Sequence, residues 1–240
     1  MSTCPRTAGA VLPPFATETL GFPLSQASRL TGKTFESVRL VANWVRTYLA
    51  APHAELGRTG PVCPFTPEAI NRDSLWIKPV RISTNAEQVI EDAVLAGKAA
   101  FSRCPVSTRA DDFIFRSLMF VFPDISAQDA PRLIDQVKEK LKPIFVDDGL
   151  MLGEFHENNS MPGLHNENFH PLRSPVPMLV IRHMVPSDLV FLNRPDDPRD
   201  RRLRYLQAYL THQTAISSSE RRRIDSIVSE LRAATSDSAA

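Results

Sequence analysis

Cysteine is scarce in this chain: Cys4, Cys63 and Cys104 are the three among 240 residues, and their spacing is not that of a metal finger. An odd number without such spacing argues against a disulfide framework and predicts reduced thiols in the cytoplasm. A surplus of one charge is lacking too. The 28 basic and 27 acidic residues leave a net charge of +1, so no global field draws nucleic acid or an anionic membrane. No apolar run approaches the roughly 20 residues that a membrane helix needs, and Pro13, Pro14 and Pro23 interrupt the N-terminal region where a targeting segment would lie. Walker and dinucleotide patterns, HExxH and a GxSxG elbow are all absent, which removes support for the commonest nucleotide, zinc-protease and hydrolase readings. No repeat period is present.

Proline, by contrast, is abundant. Its 20 residues exceed the usual share of roughly 5% and imply long, stiff loops. Residues 1–33, rich in Pro, Thr, Ser and Gly, read as a poorly ordered arm, 34–234 as a single domain, and 235–240 as a frayed tail. Within the domain, Val38, Val41, Ala42, Val45 and Leu49 recur at helical spacing from an N-cap at Thr34 to about Ala51, with Trp44 and Tyr48 beside the stripe. A turn-rich passage over Gly57–Pro67 precedes a strand at Leu75–Ile82, which Pro79 marks as an edge or bulged strand. Asn85 caps a helix through about Ser102. The run Asp112–Phe122 fits a central strand buried on both faces. Another helix starts at Ser126 and is ended or kinked at Pro143. Strands Leu150–Phe155 and Val176–Met184 follow, then a short helical turn at Pro186–Leu192 and helices at Arg199–Gln213 and Ser219–Ala233. This order predicts an α+β fold, an antiparallel or mixed sheet with helices packed on it in a ferredoxin-like arrangement, extended by N- and C-terminal helices.

The stretch Gly149–Met184 (GLMLGEFHENNSMPGLHNENFHPLRSPVPMLVIRHM) holds four of the six histidines: His156, His165, His170 and His183. Two strands flanking a long polar loop usually position a site on a rigid scaffold. His165, His170 and His183 are not at i, i+4 spacing, so folding alone could unite them. A neutral imidazole can ligate iron or zinc; equally, such histidines can make ordinary loop hydrogen bonds. Arg173 and Arg182 could clamp a carboxylate, or pair with Glu154, Glu157 or Glu167. Asn166 and Ser174 could orient these groups or satisfy turn backbone. Cys63 could be a thiolate ligand, a nucleophile or a packed residue. The arginines of Arg199–Arg204 and Arg221–Arg223 have no interleaved aromatics and read as solvated helix faces.

The segments GPVCPFTPEA and GLMLGEFHENNSMPGLHNENFHPLRSPVPMLVIRHM, over roughly Leu56 to Leu192, resemble an uncharacterised domain family of bacterial and fungal natural-product gene clusters. More remotely, Val62-Cys63-Pro64-Phe65 and the later His170, Arg173 and Ser174 are similar to motifs of the YqcI/YcgG-type family. That family includes heme-dependent enzymes that oxidise a primary amine of an amino acid to a nitro group. The chain departs from it in the GLHN elaboration between Phe155 and His170, and in having His183 where the family has an aromatic-rich strand end.

The resemblance implies a heme-dependent oxidative enzyme of secondary metabolism acting on an amine or amino-acid-derived intermediate. His170 would be the axial iron ligand, with His165 and His183 as alternatives. Arg173 and Arg182 would clamp the propionates, and neighbours of Phe113, Phe115, Phe120 and Phe122 would line a dry pocket. Cys63 would lie at the cofactor site, and His165, His170 and Arg173 would serve the chemistry. Two rivals stand beside this reading. One is a zinc-dependent or cofactor-free lyase or hydrolase using His156, Glu154 and His165; the other is a non-catalytic binding protein. In each, the partner is a small molecule rather than nucleic acid or membrane, with the chain acting alone or as a homodimer.

Overall fold

The computed structural model describes residues 20–103 and 112–233, so Cys4, Cys104 and the tail from residue 234 lie outside the described chain. Folding starts earlier than the sequence predicts. Where an arm is expected through Lys33, Phe22–Pro23 forms a short strand (β1) and Leu24–Ala27 a single helical turn (α1), with Leu24 and Ala27 buried. Two apolar side chains four positions or fewer apart suffice to pin such a segment to a core, which composition counts do not register.

The fold is α+β, with helices around a five-stranded mixed sheet of order β1-β2-β3-β5-β4. Strand β2 (Leu75–Pro79) pairs antiparallel with β1 and parallel with β3 (Ser117–Val121). Strand β3 pairs antiparallel with β5 (Met178–His183), and β4 (Leu150–Phe155) follows β5 in the sheet. The predicted central strand is thus central, with Leu118 to Val121 all buried, although Asp112–Phe115 forms a helical turn instead of extending it. Pro79, which lacks an N–H, stands at the end of β2, beyond the residues paired with β1.

Helix α2 (Glu36–Trp44) buries Val38, Val41 and Ala42 and continues as a π-helical turn over Val45–Leu49. Next come α3 (Thr66–Asn71), then α4 (Ala86–Arg103), whose Ile90, Val94, Gly97 and Phe101 make the predicted stripe. Ser126 caps the following helix by accepting the Asp129 amide at 3.1 Å. After a π turn at Pro131–Asp135 that helix becomes α5 (Gln136–Asp147). Pro143 does not end α5: the helix runs through it to Asp147, forgoing one backbone bond.

The chain divides into two compact units, Met1–Lys140 with Leu152–Arg182, and Leu141–Met151 with His183–Ala240. In the first unit, Val38, Val41, Val45, Ile77, Met119 and Met178 share one apolar core. Asp135 in the π turn meets His156, just past β4, at 2.9 Å, and Lys138 in α5 meets Glu154 in β4 at 3.3 Å.

The second unit contains α6 (Leu189–Leu192), α7 (Arg199–His212) and α8 (Ser218–Ala233). Its core gathers Val146, Met151, Leu192, Tyr205, Tyr209 and Ile224. The Tyr209 hydroxyl donates to the Pro186 carbonyl at 2.9 Å. Burial, reinforced by Glu220 and Asp188, pushes that phenol up to about 12. Among the described residues no helix is long and apolar enough to cross a membrane.

Candidate functional site

Two loops of the first unit meet to form a cleft of about 270 Å³, lined by Tyr48, His53, Glu55, Phe169, His170 and Arg173 together with Asn168. The π turn accounts for Tyr48. The Ala50 amide reaches back to the Val45 carbonyl (3.0 Å), adding one residue to the turn and offsetting Tyr48 from the core stripe of Val38, Val41 and Val45. Pro52 then stops the helix. The loop beyond it is closed at its base by backbone bonds from Val62 to Ala51 and from Cys63 to Leu49, both 2.9 Å. Within this loop the Nδ1 atom of His53 accepts the Glu55 amide at 3.2 Å. In the neutral ring that bond assigns the proton to Nε2, leaving His53 an N–H donor for a bound molecule.

The opposite wall is the histidine-rich loop, which is tied down along its length. The Gly163 amide donates to the Phe169 carbonyl (2.7 Å), the Asn166 side chain to the Glu55 carbonyl (2.8 Å), and Arg173 Nε to the Asn159 carbonyl (3.2 Å). Phe169 is buried with Leu56 and Val62, and its ring lies 4.7 Å from that of His53 and 6.4 Å from that of Tyr48. Trp44 stacks on Tyr48 at 5.5 Å, extending the aromatic row to Phe155. The Arg173 amide bonds to the His170 carbonyl at 3.3 Å, closing the turn that lets two side chains of an H-x-x-R segment share one cleft.

The charged groups lining the cleft are Arg173 and Glu55, one of each sign. Among the described residues no carboxylate lies within ion-pair distance of Arg173, so the anticipated pairing with Glu154, Glu157 or Glu167 is not made. Burial raises the Tyr48 phenol and the Arg173 charge opposes part of that rise, which leaves a protonated hydroxyl beside a guanidinium. The His170 imidazole has no hydrogen-bond partner among the described residues. Glu55 is the one carboxylate lining the cleft.

Other predicted site residues fall elsewhere. His165 is exposed rather than turned inward, and its carbonyl packs against Gly57. His156 is fully buried against Asp135, and Glu154 is engaged by Lys138, so the His156, Glu154 and His165 set does not assemble. Arg182 stands in β5 opposite Ser117, and His183 ends that strand in the second unit, so neither lines the cleft. Cys63 is half-buried in the turn before α3, with its backbone paired to Leu49 and Thr66. Among the described residues no group of three or more His, Cys, Asp or Glu side chains is placed to hold a metal ion. The residues missed from sequence are His53 and Glu55. A lone histidine after a helix-stopping proline carries no motif, and only the fold places it opposite His170.

The cleft's volume of about 270 Å³ is close to the roughly 300 Å³ at which pockets for drug-sized ligands begin. The predicted phenylalanines do not line it. Phe120 and Phe122 are completely buried, Phe115 packs on Phe65 and under Arg72, and Phe113 is not at the cleft.

The fold and the site define an α+β domain with a polar, aromatic-walled cleft among its described residues. The chain belongs to the DUF6875 family, a domain of unknown function, whose model matches residues 38–223 and therefore spans both walls of the cleft. No curated protein and no solved structure matches the chain.

Proposed function

We propose that this domain is an enzyme of small-molecule metabolism whose cleft binds a carboxylate-bearing substrate of the amino-acid type, with Arg173 receiving the carboxylate. The observation that carries the reading is Arg173 itself. Its Nε is fixed by the Asn159 carbonyl, no carboxylate neutralises it, and two imidazoles and a protonated phenol line the same cleft. A planar guanidinium held at one nitrogen offers the other two as a fork for a carboxylate. Glu55, in the same lining, suits a substrate ammonium group. His170, with its ring nitrogens uncommitted, is the candidate general base, and His53 the candidate donor.

The resemblance noted above favours amine oxidation in a natural-product pathway with a heme cofactor. The turn joining His170 to Arg173 is compatible with that assignment in sequence position, but the cleft volume supports a small substrate instead. The test is an NMR titration of the imidazole resonances with amino acids, their amide derivatives and their decarboxylated amines. Free carboxylates are expected to shift the His53 and His170 signals, with the amides and amines much weaker. Equal responses to amine and amino acid would overturn the carboxylate assignment. A heme-bound protein whose spectrum changes on His170→Ala would restore the oxidative heme reading.

A further inference from the structure

A groove of about 340 Å³ lies beside Leu40, Ile125, Val176 and three prolines, with Lys33, Arg81, Glu36 and Glu157 around it. Its charges are of both signs and Arg81 is already paired with Asp124 at 2.9 Å, so no partner chemistry is selected. The buried His156 has a bonded Nε2 and an unpartnered Nδ1, but it lines neither the cleft nor the groove. A hydrogen bond from Asn166 also joins the two walls of the cleft.

Asn166 lines no part of the cleft, yet its side chain spans the two loops that do. Its Nδ2 donates to the Glu55 carbonyl at 2.8 Å, across 111 positions of sequence, and its Oδ1 accepts the Asn168 amide at 3.0 Å. Its own carbonyl accepts the Phe169 amide at 3.2 Å. One residue therefore fixes the carbonyl of Glu55, the residue whose N–H bonds His53 Nδ1, and the start of the segment that carries Phe169, His170 and Arg173. One position earlier, the loops approach so closely that a Cβ on Gly57 would come within 2.6 Å of the His165 carbonyl. Gly57 also has a φ of +75°, a conformation that favours glycine. The Asn166 amide adds a direct hydrogen bond between the walls at this close approach.

We infer that Asn166 is a positioning residue: its amide clasps the Glu55 carbonyl, and through the backbone of that residue, whose N–H meets Nδ1, holds the His53 ring in the donor orientation within the cleft shared with His170 and Arg173. The inference rests on the cleft being the working site. A carboxylate at the same position keeps one contact and loses the other. Asn166→Asp retains the oxygen that accepts the Asn168 amide and removes the donor to Glu55, while Asn166→Ala removes both.

The experiment measures the full-length protein by 15N NMR, reading the His53 imidazole nitrogens and the amide exchange of Glu55 and Asn168. In the parent protein, His53 is expected to show the Nε2–H tautomer. In Asn166→Asp the expected result is a mixture of tautomers and, because the loosened Glu55 backbone weakens its N–H contact with His53, Glu55 exchange faster by roughly two- to tenfold, an effect on the scale of one net hydrogen bond. Asn168 exchange should stay unchanged in that variant and rise in Asn166→Ala. Parental His53 shifts and Glu55 exchange in both variants would overturn the clasp. If Asn166→Ala fails to fold, Asn166→Asp and the milder Asn166→Ser carry the same readouts, and unchanged His53 signals in either count against it. These measurements use no substrate, so their failure bears on Asn166 alone, whereas failure of the amino-acid titration bears on the function.

Discussion

The imidazole of His53 lies 4.7 Å from the ring of Phe169, with the two planes inclined by 33°. One ring belongs to the loop after α2 and the other to the loop between β4 and β5, so this pair is where the walls of the cleft meet. Phe169 is buried and His53 half-buried, which gives the contact an apolar side and a wet side. Removing the buried ring leaves a cavity beside Leu56 and Val62. Phe169→Ala should lower stability by about 3–5 kcal/mol, the range for such truncations, and denaturant unfolding measures it. His53→Ala should cost far less stability but weaken the response to carboxylates; a large stability loss there would assign His53 a structural role.

Arg173 separates charge from geometry. A guanidinium paired with a carboxylate is worth roughly 1.5–3 kcal/mol, or about tenfold to a hundredfold in affinity. Arg173→Ala should weaken binding of the responsive amino acid by that factor, and Arg173→Lys should recover only part of it because an ammonium lacks the fork. Unfolding curves should change little, since the residue is exposed and gives up one backbone contact. Unaltered affinity in Arg173→Ala would place the carboxylate elsewhere.

The heme reading has its own outcome. Protein expressed with added heme precursor should show no Soret band that depends on His170. If a band is present, and His170→Ala changes it while Cys63→Ser does not, histidine ligation is established and the cleft must open to admit a porphyrin. A change from thiolate-type to histidine-type in Cys63→Ser would assign the ligand to Cys63.

Lys138 and Glu154 meet at 3.3 Å with their side chains nearly out of solvent. Burial alone would depress the lysine, but attraction to Glu154 and its bonds with Glu139 and Glu154 outweigh it and raise its pKa. A raised lysine contributes stability that is fully present below its ordinary value of about 10.4 and lost as the pH climbs through the raised value. Urea midpoints should therefore decline from that contribution only above this range. Lys138→Met strands Glu154 and should cost roughly 3–5 kcal/mol, while the double variant with Glu154→Leu should regain most of it. If the double variant is no better than the single, the pair is not the source of the loss.

Gly97 tests packing in α4. Alanine there would gain up to about 1 kcal/mol of helix propensity, but its Cβ would fall 2.0 Å from the Phe120 ring, which is fully buried between helix and sheet. Overpacking of this kind costs about 1–3 kcal/mol, so Gly97→Ala should destabilise despite the better helix former. A raised melting temperature would show that Phe120 can move aside.

Much of the fold was written locally. Stripes at helical spacing located α2, α4 and α5, and apolar runs located β3, β4 and β5, because each element must bury one face and its sequence shows which. The α+β class follows from their order. The sequence also marked the loop that holds His170 and Arg173, since prolines and polar residues between two strands are a local signal. It had no means to mark His53, Glu55 or the task of Asn166, nor to discard His165, His156 and His183 as companions of His170. Those assignments depend on which segments touch, here across 111 positions between Asn166 and Glu55. Composition and spacing describe neighbours along the chain. The cleft exists because two loops distant in sequence are brought together when the core beneath them closes, and only the tertiary structure decided that.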